Sequence, residues 1–358
     1  ENVNEMKQKL AEIKVDEVSL KAEMRQQFQR VTEMLNLFLQ GTNANIGAQV
    51  FYSFYVANDN PEIIIIGGLS AVERERMLDS VEIYSIFDGK STLLLPMNHP
   101  RVETASCVFN NDVIVAGGFN GFTCINNIEI LQMDHHPLKW KVFEGKLPSG
   151  LSSHSIVVYQ DKLLVIGGMC SNDNKISNAI HEISLIPPHI TKRLFKMPQA
   201  RRNHRAELVN DELFVLGGTS TGLSKDAMDS VISYDLIKNE RKRCEALPYH
   251  VSGMSTVTWG SKIIVIGGTS KNGQVLNDVN MYETVTGKSE KLPSMIYRRS
   301  GCSAVILQEV IYVMGGWNQD QGYLNSVECL TIGNDFWVEL PGLKEKRKLA
   351  TAVVKPLH

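Results

Sequence analysis

Adjacent glycine pairs at a nearly constant spacing constrain the fold of this 358-residue chain more than any other feature. Each pair follows an apolar run, and successive pairs lie 50, 50, 50, 50 and 48 residues apart. The six pairs are Gly67-Gly68, Gly117-Gly118, Gly167-Gly168, Gly217-Gly218, Gly267-Gly268 and Gly315-Gly316. A fixed period of this length is typical of a repeat protein, in which each repeat forms one supersecondary unit.

Two further markers keep the same register. Soon after each glycine pair an Asp or Asn opens a strand-like run, at Asp79, Asn126, Asn178, Asp229, Asn277 and Asn325. An apolar residue followed by proline then closes each unit, at Pro96, Pro148, Pro198, Pro248, Pro293 and Pro341. Three markers in phase predict six units of the same structure.

Each unit has the pattern of four short strands. In the third unit the four runs are SHSIVVY, KLLVIGG, AIHEISLI and ITKRLFKM. Their β-branched content and short length favour strand over helix. Four antiparallel strands repeated around an axis form a propeller. We therefore predict an all-β, six-bladed propeller over residues 62–358.

This region resembles the Kelch repeat. The resemblance consists of the diglycine, a later tyrosine (Tyr84, Tyr234, Tyr282) and a strand-closing tryptophan (Trp140, Trp337). Units one, three, four and five lack that tryptophan. The resemblance implies a six-bladed Kelch β-propeller and a role in binding other proteins.

The first blade has two candidates for its inner strand. Inner strands of the later units carry small residues, at Ala105, Ser106, Ser155, Ala206, Ser255 and Ser303. The C-terminal segment 349–354 shares this property, whereas the upstream segment 50–56 is rich in aromatic residues. We predict that residues 349–354 close the ring, which removes exposed sheet edges, and that residues 50–56 pack outside the disc.

Residues 1–40 have a different pattern. Apolar residues recur mostly at steps of three and four, which predicts a long amphipathic α-helix ending near Gly41. Its length suits a coiled coil, and we predict a homodimer through residues 6–38, with packing on the propeller rim as the alternative. The segment is similar to the coiled coils of tripartite-motif ubiquitin ligases. Residues 41–61 are predicted to be a linker, and a start at Glu1 predicts a fragment of a longer polypeptide.

Composition narrows the class of partner. The chain has 37 Lys and Arg against 39 Asp and Glu, so we expect no nucleic acid as partner. No apolar stretch is long enough to cross a membrane. The six cysteines are scattered, which predicts free thiols in a reducing compartment. We therefore expect a cytoplasmic protein, with cytoskeletal association or the nucleus as alternatives.

Arginines mark the predicted binding face. In the Kelch family, the loop after the diglycine and the loop that leads into the inner strand (the lead-in loop) reach one face of the disc. The lead-in loops contain Arg101, Arg201, Arg202, Arg205, Arg298, Arg299 and Arg347. Arginine pairs bidentately with carboxylates, so this set predicts an acidic peptide or phosphopeptide partner. The alternative is that the first arginine of each loop only bonds between blades.

Aromatic residues in the diglycine loops are predicted anchors for a protein partner. They are Phe119, Phe122, Trp317 and Tyr323. Large aromatic side chains dominate the energetics of many interfaces. The alternative is that they pack on the neighbouring blade.

Catalytic and metal-binding motifs are missing from the sequence. There is no P-loop and no GxSxG elbow, and the one histidine pair, His135-His136, lies in a loop. We predict no enzyme activity, no cofactor and no metal. Two functions remain: substrate recognition for a ubiquitin ligase, which the resemblance to Kelch adaptors that hold acidic degrons implies, and a cytoskeletal scaffold oligomerised by the coiled coil.

Overall fold

The computed structural model describes residues 61–71, 75–170 and 175–356. The chain divides into two units after Asn60, and the described residues belong to the second, Pro61–His358. The predicted helix over residues 1–40, the linker as far as residue 60 and the aromatic segment 50–56 lie outside the described residues.

Six four-stranded antiparallel sheets form the second unit, and they confirm the predicted all-β, six-bladed propeller. From inner to outer edge, blade 1 consists of Thr351–Val354, Glu62–Ile66, Val81–Ser85 and Lys90–Leu94. Blade 2 consists of Ala105–Phe109, Asp112–Ala116, Asn127–Gln132 and Lys139–Lys146. Blade 3 consists of Ser155–Tyr159, Lys162–Ile166, Ala179–Ser184 and Thr191–Lys196.

The remaining blades repeat this order. Blade 4 consists of Arg205–Val209, Glu212–Leu216, Val231–Asp235 and Glu240–Arg243. Blade 5 consists of Ser255–Trp259, Lys262–Ile266, Val279–Glu283 and Ser289–Leu292. Blade 6 consists of Ser303–Leu307, Val310–Met314, Val327–Thr331 and Val338–Leu340. Each inner strand contacts the inner strands of the blades on either side, so the six strands surround one axis.

The second strand of each blade forms the centre of the core. In Glu62–Ile66 the four isoleucines are fully buried, because both faces of the sheet are covered by neighbouring blades. A strand packed on both faces is apolar without alternation. Ile64 and Ile66 of blade 1 pack in one cluster with Val113 and Val115 of blade 2. The hydrophobic core is therefore divided into layers between adjacent blades.

The C-terminal strand closes the ring. Thr351–Val354 pairs antiparallel with Glu62–Ile66, with Ala352 opposite Ile65. Blade 1 thus takes its inner strand from the end of the propeller and its other three strands from the beginning. A sheet shared in this way joins the two ends of the propeller by hydrogen bonds and closes the ring.

The loops that follow the glycine pairs contain short elements of secondary structure. Four two-stranded sheets pair Leu69–Ser70 with Arg76–Met77, Leu151–Ser152 with Met169–Cys170, Val251–Ser252 with Thr269–Ser270, and Trp317–Asn318 with Gly322–Tyr323. A 3-10 helix spans Ser224–Asp226 in blade 4. The six cysteines are free thiols.

A closed ring of backbone hydrogen bonds links the six blades where the inner strands begin. Its members are Glu103, Ser153, Asn203, Gly253, Gly301 and Leu349. Each N–H donates to the carbonyl oxygen of the preceding member, over 2.7 to 3.1 Å, and Glu103 donates to Leu349 to complete the circle. All six residues have φ between 53° and 64°. Only glycine adopts this conformation without cost, so the ring holds four other residues in a strained backbone.

Candidate partner-binding face

Lead-in loops and diglycine loops meet at the same end of the blades. In blade 2, Val102 forms a β-bridge with Phe119, which follows the glycine pair. Arg202 with Thr219 in blade 4 and Ser300 with Trp317 in blade 6 repeat this bridge. The surface formed by these two sets of loops is called the diglycine face below.

Four of the predicted partner-binding arginines are buried inside the propeller. At most 1% of Arg101, Arg201, Arg299 and Arg347 is exposed. In each of them Nη1 donates to the carbonyl of the first glycine of a pair, at 2.8, 3.0, 2.6 and 2.9 Å respectively. These guanidinium groups cannot reach a partner, because the fold uses them to join the lead-in loop to the second strand. The prediction that these four arginines bind a partner is therefore corrected.

Three of the buried arginines have a buried carboxylate. Arg101 pairs with Glu129 at 2.6 Å, Arg299 with Glu328 at 2.7 Å, and Arg347 with Glu82 at 2.6 Å. Each glutamate lies near the start of the third strand of the same blade. It stands opposite a valine or isoleucine of the second strand. The three ion pairs thus repeat one arrangement in blades 1, 2 and 6.

The fourth buried arginine has no such carboxylate. In blade 4 the residue opposite Val215 is Ile232. Arg201 instead donates a hydrogen bond from Nη2 to the Ser230 hydroxyl, at 2.7 Å. Burial lowers the pKa of Arg201 to about 10. In blade 2, by contrast, burial alone would raise the pKa of Glu129. The hydrogen bond from Arg101 and the positive charge of Arg101 hold that pKa below its usual value.

The other three predicted arginines lie in different surroundings. Arg298 is exposed on the diglycine face, and its guanidinium has no hydrogen bond or ion pair among the described residues. Arg202 is partly exposed and pairs with Glu103 at 3.2 Å. Arg205 lines the channel along the axis. The structure therefore does not bring the predicted arginines together into one cluster.

The axial channel has a volume of about 440 Å³ and is bordered by all six inner strands. Small and hydroxyl-bearing residues line most of it, including Ser106, Thr256 and Thr351. Two charged residues, Arg205 and Glu207, project from blade 4. Both Glu207 oxygens accept hydrogen bonds from the next blade, from Thr256 at 2.6 Å and Thr258 at 2.9 Å. Burial lowers the pKa of Arg205 and raises the pKa of Glu207.

Two predicted aromatic anchors pack beside a lysine between blades 6 and 1. Trp317 and Tyr323 face each other in a two-stranded sheet. The Nζ of Lys348 lies 5.8 Å from the Trp317 ring centre and 4.6 Å from that of Tyr323. The Tyr323 hydroxyl donates to Glu75, and burial together with this carboxylate raises the pKa of Tyr323. The group forms a cation–aromatic cluster on the diglycine face.

The other two predicted anchors differ in exposure. Phe122 is 95% exposed at the tip of its loop, where Asn120 accepts hydrogen bonds from the backbone of Phe122 and Thr123. Phe119 is half-buried, and its backbone bridges to Val102 and Cys124. Phe122 is therefore available to a partner, whereas Phe119 mainly shapes the loop.

Glu103 is the residue of this face that sequence reasoning missed. It follows Arg101 by two positions, and its equivalents in the other blades are Ser153, Asn203, Gly253, Gly301 and Leu349. Alignment of the six lead-in loops would have marked it as the acidic member of an otherwise uncharged set. Its partner Arg202 is 99 residues away, so the pair itself has no local signal.

Within residues 61–71, 75–170 and 175–356, no group of three or more His, Cys, Asp or Glu side chains is placed to hold a metal ion. The helices of that part of the chain include none with the length and apolar character to span a bilayer.

Fold and site together define a six-bladed β-propeller whose loop face carries cations beside aromatic residues. Over residues 153–354, more than half of the chain, the sequence matches the family described as KLHDC2/KLHL20/DRC7 Kelch-repeats domain. The chain belongs to this Kelch-repeat family. The family and fold are those of a protein-interaction module.

Individual relatives are distant. Beta-scruin of Limulus polyphemus is 23% identical over 225 residues, covering 59% of this chain and 24% of that protein. Kelch-like protein 40 of Mus musculus is 27% identical over 127 residues, covering 34% of this chain and 20% of that protein. The chain thus spans about a quarter or less of these curated relatives. The solved structure of YjhT shares the fold, with a TM-score of 0.63 at 16% identity, covering 72% of this chain and 89% of that chain.

Proposed function

We propose that this propeller recognises substrates for a ubiquitin ligase by binding an acidic peptide segment on the diglycine face. The observation that supports this most is the unpaired positive charge beside aromatic rings on blades 6 and 1. Arg298 has no carboxylate partner among the described residues, and Lys348 contacts aromatic rings rather than an acid. The proposal places the protein in the cytoplasm.

Arg298 and Lys348 both contact one short strand, Trp317–Asn318. The Asn318 amide donates to the Arg298 carbonyl at 2.9 Å, and Lys348 lies over the adjacent Trp317. Phe122 adds an exposed apolar contact elsewhere on the same face. A peptide carboxylate beside Arg298 or Lys348 would gain charge-assisted bonds, while apolar peptide side chains would cover the rings.

Peptide binding tests this function directly. A fluorescein-labelled oligoglutamate peptide and an oligoglutamine peptide of equal length are titrated with the protein, and anisotropy is measured. We expect binding of the acidic peptide only, weakened about tenfold by Arg298→Glu or Lys348→Glu, since each change replaces an attraction with a repulsion.

The matched control is Lys288→Glu. Lys288 lies in the turn between Val279–Glu283 and Ser289–Leu292, at the opposite end of blade 5. This variant has the same charge change but leaves the diglycine face intact, so its affinity should equal that of the wild type. Equal weakening by all three substitutions would reduce the effect to net charge and argue against a site on this face.

A cytoskeletal scaffold is the second candidate, supported by the apolar stripe predicted to form a coiled coil through residues 6–38. Multivalent binding would then hold the propeller on a filament. Co-sedimentation of the full chain with actin filaments measures this. If the scaffold proposal holds, Leu10→Asp with Leu35→Asp abolishes co-sedimentation and leaves oligoglutamate affinity unchanged.

A further inference from the structure

Arg202 is a predicted partner-binding arginine at the surface, and it already holds a carboxylate. Its Nη2 lies 3.2 Å from both Oε1 and Oε2 of Glu103. The side chains of Arg202 and Glu103 are 16% and 18% exposed. The ion pair therefore lies where solvent, and a partner, can reach it.

Two serine hydroxyls complete the surroundings of this carboxylate. Ser152 donates to Glu103 Oε2 at 3.0 Å, and Ser153 donates to the same oxygen. Arg202 Nη2 also lies 3.1 Å from the Ser153 hydroxyl, and Nη1 lies 2.9 Å from the sulfur of Met169. An arginine and two hydroxyls aimed at one carboxylate have the composition of a carboxylate-binding site.

The carboxylate and its donors come from different blades. Glu103 lies in the lead-in loop of blade 2, the serines lie in that of blade 3, and Arg202 lies in that of blade 4. The Glu103 side chain makes no other hydrogen bond within the described residues. Its backbone is fixed separately, by the hydrogen-bond ring to Leu349 and Ser153. Side-chain rotation alone would therefore free the site without opening the ring.

The propeller does not need this ion pair for closure. The residues equivalent to Arg202 in the other blades are Val102, Ser152, Ser252, Ser300 and Lys348, and none of them forms an ion pair in the described residues. The residues equivalent to Glu103 are likewise not acidic. The five other sets of equivalent positions thus lack such a pair, so closure of the propeller does not account for it.

We propose that Arg202, Ser152 and Ser153 form a binding site for an aspartate or glutamate side chain of the partner, and that Glu103 is its internal occupant. The partner's carboxylate enters when Glu103 turns away. Because Glu103 is tethered, its local concentration is high, and only a peptide with additional contacts displaces it. The site would thus reject isolated carboxylates and accept acidic segments. This inference rests on the proposed function.

The test replaces Glu103 by asparagine. Asparagine already occupies an equivalent position of the hydrogen-bond ring, at Asn203, with the same positive φ. Oligoglutamate affinity is measured by anisotropy for wild type, Glu103→Asn, Arg202→Gln and the double variant, with a thermal melt of each. We expect Glu103→Asn to bind at least threefold more tightly and Arg202→Gln to remove that gain. Glu103→Gln repeats the test with an isosteric side chain.

Glu345→Gln is the matched control. Glu345 is another carboxylate of the diglycine face, bonded to Arg347 and Ser80 rather than to Arg202. A similar gain in affinity for Glu345→Gln would attribute the effect to net charge and overturn the inference.

Failure of the inference is distinguishable from failure of the proposed function. If the wild type binds and Arg298→Glu weakens it, but Glu103→Asn and Arg202→Gln change nothing, only the inference is overturned. A lower melting temperature for Glu103→Asn at unchanged affinity would assign the pair to structure alone. If neither the wild type nor Glu103→Asn binds oligoglutamate, the proposed function fails and the inference with it.

Discussion

Arg299 donates its Nε hydrogen to Glu328 Oε1 over 2.7 Å, and neither side chain is exposed to solvent. The same guanidinium donates to the carbonyls of Gly315 at 2.6 Å and Ser326 at 3.0 Å. One buried cation thereby joins the lead-in loop of blade 6 to its second and third strands. A buried charge of this kind is tolerated only while its partner is present.

Glu328→Ala should lower the free energy of unfolding by about 3 kcal/mol, because it leaves Arg299 buried without a counter-charge. Urea denaturation measures the change. Glu339→Ala serves as the control, since Glu339 is exposed in the outer strand of the same blade and accepts a hydrogen bond from the half-buried Tyr297. A loss of less than about 1 kcal/mol for Glu328→Ala would show that the ion pair is not required.

Ile232→Glu should place a carboxylate beside the unpaired Arg201. Blades 1, 2 and 6 combine the buried arginine with a glutamate at this third-strand position, whereas blade 4 has Ile232 there. The new ion pair would offset the cost of burying the glutamate, and the pKa of Arg201 would rise from its lowered value.

The control for this substitution is Asn280→Glu in blade 5. Val251 stands there in place of the arginine, so the introduced carboxylate has no buried cation to meet. In both variants the new glutamate also faces one exposed cation of the outer strand, so the two differ in the buried arginine. Urea denaturation of each variant and of the wild type gives the loss in free energy of unfolding. We expect this loss to be larger for Asn280→Glu than for Ile232→Glu by about 2 kcal/mol or more. Equal losses would mean that Arg201 cannot accept a carboxylate.

Acid should destabilise the propeller through two buried histidines. Burial lowers the pKa of His154 to about 4, and burial also lowers the pKa of His204 well below its usual value. The unfolded chain takes up these protons near pH 6.5, and the folded chain does not. Stability is therefore complete above about pH 6.5 and falls toward pH 4, by about 1.4 kcal/mol per pH unit for each histidine.

His154→Met isolates one of these contributions. Methionine is the residue at the equivalent position of blade 5, Met254, where it is fully buried. The free energy of unfolding of the variant should fall less steeply with acid than that of the wild type, by about 1.4 kcal/mol per pH unit between pH 6.5 and 4. Parallel curves for the two proteins would contradict a neutral buried His154.

Deleting residues 349–358 should destabilise the whole ring. The deletion removes Thr351–Val354 from Glu62–Ile66 and also breaks the hydrogen-bond ring at Leu349. Blade 1 would present an open edge to the axis. We expect a large drop in melting temperature by calorimetry, and an unchanged value would refute the role of this strand in closure.

Much of the fold could be predicted from the sequence because propeller repeats carry local signals. The glycine pairs mark strand ends, where the first glycine has φ near 60° and a Cβ at Gly67 would lie 2.5 Å from the Arg101 carbonyl. Short apolar runs mark the second strands. Their even spacing determined the number of blades, since each signal depends only on residues within one unit.

The site could be predicted only in part. Arg201 and Arg202 are adjacent and identical in type, yet one is buried against the Gly217 carbonyl and the other pairs with Glu103 on the surface. Exposure of Phe122, Trp317 and Tyr323 also depends on how neighbouring loops pack. Matching glutamates on third strands were visible in the aligned repeats and would have identified Arg101, Arg299 and Arg347 as buried.

The sequence by itself determined the repeat and the strand order. Tertiary structure alone decided which arginines remain free, because burial depends on groups that are distant along the chain. Glu103 meets Arg202 across 99 residues, and Arg347 meets Glu82 across 265. The physical reason is that a charge is satisfied by whichever partner the closed ring brings within hydrogen-bond distance, and closure is a property of all six blades together.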